Sequence, residues 1–172
     1  QRLDTPWCRA LAQRCGSLVL VGPHQSPDPA LARTARVHLP GPVAYSDLPA
    51  LAAAADVLVM PYADLPVTRA MQPLKLKEYL ATGKPAVVRK LPATTPWADA
   101  ADAVETVQQL VHYTNHRAAH GTPPDQLAAR RRLDRGGLPD ARRDRRGLGS
   151  ARTEVAGCCA LTTASEPRAG RQ

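Results

Sequence analysis

The chain has 172 residues, room for one ordinary domain, and a lopsided composition in which Ile and Phe are absent while Ala, Arg, Pro and Leu abound. Its formal net charge of +8 averages two unlike parts: residues 1–116 carry 7 Arg, 4 Lys and 9 acids, and residues 117–172 carry 12 Arg, no Lys and 6 acids. No apolar run approaches the roughly 18 residues of a membrane span, no signal peptide is legible, and the four cysteines (Cys8, Cys15, Cys158, Cys159) have neither zinc-ligand spacing nor the layout of a disulfide framework, which leaves free thiols as the default.

In chain order, the spacing predicts a helix over Thr5–Arg14, with Pro6 near its start and Leu11 on its apolar side. Ser17–Val21 reads as a buried strand closed by Gly22-Pro23. A proline-rich loop follows (Pro23, Pro27, Pro29), then a short helix around Ala30–Arg33. Val37–Leu39 is a short strand, Gly41-Pro42 turns the chain, and Val43–Tyr45 is extended. Asp47 is placed to cap a helix over Leu48–Ala54. Asp56–Met60 is the next strand, ended by Pro61, and residues 61–72 form a loop. Asp99–Val111 reads as a further helix.

The segment Pro73–Val88, PLKLKEYLATGKPAVV, carries the most information. Pro73 suits the first helical position, where its missing N–H costs nothing. Leu76, Tyr79, Leu80 and Gly83 form one stripe at helical spacing, and Glu78 points away from it. Gly83 can adopt the left-handed conformation that stops a helix, with Pro85 two residues on. Ala86-Val87-Val88 then reads as a strand covered on both faces. A helix opening presents free N–H groups and a positive dipole end, which favour phosphate. The same pattern also suits any αβ unit, with Glu78 a solvated surface residue.

Strands alternating with helices at this spacing give an α/β fold, a Rossmann-like doubly wound parallel sheet. Ligands of such sheets bind beyond the carboxyl ends of the strands. Gly22-Pro23, Leu39-Pro40-Gly41, Pro61-Tyr62 and the helix opening at Pro73 all fall there.

The strings VLVGP, VHLPGPVAYSDLPALAAAADVLVMPY and PLKLKEYLATGKPAVV, in this order and spacing, resemble the C-terminal domain of GT-B glycosyltransferases. The likeness is to the family-4-like enzymes that build bacterial surface polysaccharides, including the teichuronic-acid type. It covers roughly residues 3–90. The resemblance implies a partial nucleotide-sugar-binding domain over residues 1–112, the C-terminal half of a GT-B fold, followed by an Arg-rich tail over 113–172. It implies a nucleotide-diphosphate sugar as donor substrate, no cofactor, no metal, and no nucleic-acid partner. It places the enzyme in the cytoplasm or at the inner face of the plasma membrane, with a saccharide or lipid-linked acceptor held by an N-terminal domain not in this chain. Residue by residue, Glu78 matches the acid that binds the donor ribose. Leu39 to Val43, including Gly41, Pro42 and Val43, match the loop that holds the base through backbone groups. Met71, Gln72, Pro73 and Leu74 match the loop whose N–H groups face the diphosphate and sugar. Gly22 matches the glycine closing the second strand. The partner acid of the family pattern is here Ala70, and the catalytic residues stay unassigned.

Lys75 and Lys77 read first as solvated helix lysines and second as phosphate neutralisers, as does Arg69 in the preceding loop. Asp64 reads as a turn residue or polar lining. His112, His116 and His120 align on a helix as metal ligands do, but no carboxylate accompanies them, and Asn115 and Gly121-Thr122-Pro123 oppose the helix. From about Arg117 the tail, with Arg130-Arg131-Arg132 and Arg142-Arg143-Asp144-Arg145-Arg146, lacks hydrophobic period and has no aromatic after Tyr113, so disorder is its default. A shifted reading frame near residue 130 gives the same composition. The alternatives left open are a GT-B-fold sugar-nucleotide epimerase fragment, a basic-tailed nucleic-acid-binding module, and a non-functional truncated product.

Overall fold

The structure is a computed structural model and describes residues 2–23, 28–135 and 159–163. Helix α1 (Thr5–Arg14) starts where the Asp4 side chain accepts from the Trp7 N–H at 3.1 Å, with Pro6 in its first turn, and it buries Trp7, Cys8, Leu11 and Ala12. Strand β1 (Ser17–Val21), helix α2 (Pro29–Ala32), strand β2 (Val37–Gly41), helix α3 (Leu48–Ala54) and strand β3 (Val57–Met60) follow. Then come α4 (Pro66–Ala70), α5 (Leu74–Ala81), β4 (Ala86–Arg89), β5 (Asp102–Val104), α6 (Val107–His120), α7 (Pro124–Arg135) and β6 (Cys159–Thr163).

These strands form one sheet in the order β2-β1-β6-β3-β4-β5. The pairs β1–β2, β3–β4 and β4–β5 are parallel, as expected. Pro40 is tolerated because β2 is an edge strand, and the register slips between Val19 and Val21 opposite it. The alternation of β3 shows that the sheet is covered on both faces. Leu58 and Met60 enter one core cluster with Leu76, Tyr79 and Leu80 of α5 and Ala129 of α7. Val57 and Val59 enter the other, with Leu11 of α1, Leu31 of α2 and Leu110 of α6. Each fully buried aliphatic side chain of this kind contributes about 1.5–3 kcal/mol relative to an exposed one.

Five details depart from the sequence expectations. Residues 61–72 are not all loop: Thr68, fully buried, accepts from the Leu65 N–H at 2.9 Å and opens α4. Tyr45 belongs to a 3-10 turn over Tyr45–Asp47 rather than an extended stretch, and Asp47 enters α3 in helical conformation without a side-chain cap. Pro73 is the residue before α5 rather than its first helical residue. Asp99–Val111 is not one helix. Asp102–Val104 is a strand paired with β4, and the helix starts at Val107 behind a Thr106–Gln109 capping box. Finally, α6 runs through Asn115 to His120, across the expected boundary at 112/113, and α7 passes through residue 130.

The region from Arg117 to Arg135 is therefore helical and tied to the domain. Arg117 forks onto Asp102, with Nε–Oδ2 at 2.6 Å and Nη2–Oδ1 at 2.8 Å, and Gln126 donates to Oδ1 at 3.0 Å. Arg130 is buried and donates to the carbonyls of Ala100 and Lys84, both at 2.9 Å. Burial pulls its guanidinium below the ordinary value. The second basic run, at Arg142–Arg146, lies outside the described residues.

Strand β6 was not anticipated. It lies between β1 and β3, which do not pair with each other, and it runs antiparallel to both.

Candidate functional site

The carboxyl ends of β1 and β2 meet through glycine. The Gly22 N–H donates to the Gly41 carbonyl at 3.1 Å, with φ of +147° at Gly22 and +87° at Gly41. Only a residue without Cβ takes such backbone angles without strain, so two of the anticipated positions form one close backbone contact, with both glycines buried. Pro42 follows, exposed, and Val43 packs onto the core cluster that also receives Met71. The loop after β2 and the loop before α5 thus rest on the same apolar base.

Helix α5 opens with an inverse γ-turn. Pro73 has φ −82° and ψ 55°, and the Leu74 N–H donates to the Gln72 carbonyl at 2.9 Å. That N–H is engaged within the turn. No side chain caps the helix, so its opening N–H groups at Lys75 and Leu76 are the ones aimed outward along the axis. Gln72 and Leu74 are exposed, and Leu74 keeps 57% of its surface.

Glu78 sits one turn further on. Its side chain is 42% exposed, while Lys75 is 9% exposed, and the Lys75 ammonium meets Glu78 Oε2 at 2.7 Å. Lys75 is not the solvated helix lysine that its sequence position suggests first: it is buried and paired with Glu78. Tyr79, an i, i+4 neighbour of Lys75 on the buried side of the helix, has its hydroxyl 3.5 Å from the Val59 carbonyl. At the far end, Gly83 takes φ +76° and ends the helix as expected.

The other basic candidates are engaged elsewhere. Lys77 lies over the Trp97 ring with 5.5 Å to the centroid. Arg69 forks onto Asp64 through contacts of 2.6 and 2.9 Å. The guanidinium holds the Asp64 carboxyl below the usual carboxylate range. Ala70 ends α4 and is exposed.

One basic residue escaped sequence reading. Arg89 ends β4, so it too lies at a strand's carboxyl end. Its Nη1 donates to Asp4 Oδ2 at 2.7 Å and to the Tyr62 carbonyl at 3.2 Å, and its guanidinium stacks 4.5 Å from the Trp7 centroid. It anchors the start of α1 to the ends of β3 and β4. A basic residue closing an apolar strand was the available signal.

His112, His116 and His120 do share one exposed face of α6, with ring centroids 6.2 and 4.3 Å apart. No group of three candidate ligands that could hold a metal occurs among the described residues. No described helix is long and apolar enough to cross a membrane.

The sequence model of the family described as Glycosyl transferases group 1 matches residues 7–115. A protein of Bacillus subtilis (strain 168), named as a teichuronic acid biosynthesis glycosyltransferase, TuaH, is 40% identical over 65 residues. That stretch is 38% of this chain and 16% of the relative, so the chain spans about one sixth of that protein's length. No solved structure matches the chain.

Proposed function

The chain belongs to the glycosyl transferases group 1 family, and from that premise we propose that it carries the donor-binding part of an enzyme moving a sugar from a nucleotide diphosphate to a saccharide or lipid-linked acceptor. The observation that carries this reading is the reach of the family match. It spans residues 7–115 and so takes in the Gly22–Gly41 contact and the whole of α5. The name of the B. subtilis relative, a teichuronic acid biosynthesis glycosyltransferase, supports a saccharide acceptor.

In this reading the base lies along Gly41, Pro42 and Val43, held by backbone groups. The buried Gly22–Gly41 contact forms the floor under this loop. The diphosphate faces the opening of α5, where uncapped N–H groups and the helix dipole favour negative charge. Glu78 accepts from the ribose hydroxyls. Sugar transfer builds negative charge on the departing diphosphate, so donors fixed in advance at that point lower the barrier. The acceptor is held by a part of the enzyme outside this chain.

Calorimetry with uridine, guanosine and adenosine diphosphates tests the donor site. Glu78→Ala should weaken the preferred nucleotide about tenfold, in line with a lost charge-assisted hydrogen bond. Its circular dichroism should stay close to the parent's, because the Glu78 side chain is half exposed, while its melting temperature should fall by a few degrees, because the Lys75 ammonium beneath it loses its carboxylate. Equal affinity in the two proteins removes Glu78 from the site. Alone, the chain should show no sugar transfer with any donor and acceptor, measured as nucleotide release.

A further inference from the structure

Lys75 is a lysine almost wholly removed from water, 9% exposed, on a helix whose neighbouring Leu74 is 57% exposed. An ammonium in that position needs a partner of opposite charge. Among the described residues it bonds Glu78 Oε2, at 2.7 Å, and no other atom. The two residues are three apart and lie on the same helix face. Helical side chains lean toward the N-terminus, so this bond draws the Glu78 carboxylate back toward the opening of α5. Oε1, not engaged by the lysine, is left to accept from a ligand.

The pairing also bears on charge. A lysine that serves phosphate directly presents an unneutralised ammonium, whereas here the carboxylate cancels it. We propose that Lys75 is a positioning residue: it fixes the Glu78 carboxylate at the helix opening and acts on the nucleotide through that carboxylate, not on the phosphates. This inference rests on Glu78 being a ribose ligand.

The test compares each of the three nucleoside diphosphates with its 2′,3′-dideoxy counterpart, titrated into the full chain and into Glu78→Ala, Lys75→Met, Lys75→Arg and the Glu78→Ala/Lys75→Met double variant. Lys75→Met keeps an apolar stem where the lysine stem was buried, and a thermal melt confirms its fold. The parent should prefer the ribonucleotide, and Glu78→Ala should erase that preference. Lys75→Met should lower ribonucleotide affinity by about three- to tenfold, leave the dideoxy affinity unchanged, and add nothing in the double variant. Lys75→Arg should keep most of the preference.

If Lys75→Met weakens both nucleotides equally, and also weakens pyrophosphate, Lys75 is a phosphate ligand and the positioning role is overturned. If Lys75→Met leaves the preference intact while Glu78→Ala abolishes it, the positioning role fails and the ribose reading stands. If Glu78→Ala has no effect on the preference, or no nucleotide binds the parent, the ribose reading fails and this inference falls with it.

Discussion

Two single residues show how local chemistry fixes the element around the site. Gly83 has φ +76°, and a Cβ built there meets nothing within 4 Å. The cost of a side chain at that point is therefore backbone strain alone, about 1–2 kcal/mol for an L-residue in the left-handed region. Gly83→Ala should lower the melting temperature by several degrees, and Gly83→Asn by less, because Asn tolerates that region. Cys15 lies at the end of α1, where burial pushes its thiol up to about 11. Near neutral pH it is protonated and a poor nucleophile. Iodoacetamide at pH 8 should leave Cys15 unmodified in the native protein and label it after urea unfolding, read by peptide mass spectrometry. Fast native labelling would show that the site opens.

At the scale of elements, the network on Asp102 joins β5 to α6 and α7. Its carboxylate accepts two bonds from Arg117 and one from Gln126, in a setting where Asp102 is 9% exposed. Removing one partner of a buried pair leaves the other unsatisfied, at a cost of about 3–5 kcal/mol. Asp102→Ala should lose about that much by urea titration, and Asp102→Ala/Arg117→Met should regain part of it. This network also marks where sequence reading stopped. α1, β1, α3 and the core of α5 were legible because each combines a clear period with Pro, Asp or Gly at its ends. The turns at Gly22 and Gly41 were legible for the same reason, since turn residues announce their backbone needs. β5 was not, because Asp-Ala-Val in an Ala-rich run has a helix-forming composition and becomes a strand only through pairing with β4. α7 was obscured by its arginines, whose charge suggested solvent. Arg130 is nevertheless buried on two main-chain carbonyls, a contact between residues 30 and 46 apart that no local pattern records. The Lys75–Glu78 bond was within reach, being an i, i+3 pair of opposite sign, but its meaning depends on burial.

For the whole molecule, the question is what holds the two halves of the sheet together. β2 and β1 form one parallel pair, β3, β4 and β5 another parallel group, and β6 is the strand between them. It pairs over five positions with β1 and three with β3. With β6 removed, β1 and β3 stand two strand spacings apart, about 10 Å, each with an unpaired row of backbone groups flanked by buried Leu and Val side chains. Such edges recruit other chains. A chain ending at Arg135 should therefore lose its cooperative thermal transition by circular dichroism and elute as aggregates in size exclusion, while the full chain does neither. The opposing outcome has a physical route as well. β1 and β3 can close on each other and give the order β2-β1-β3-β4-β5, itself a stable doubly wound arrangement. A truncated chain that stays monomeric with a sharp transition would show that this closure occurs. The proposed nucleotide site would then belong to the parallel strands alone, because its expected residues lie at the ends of β1 and β2 and along the start of α5, all retained in that chain.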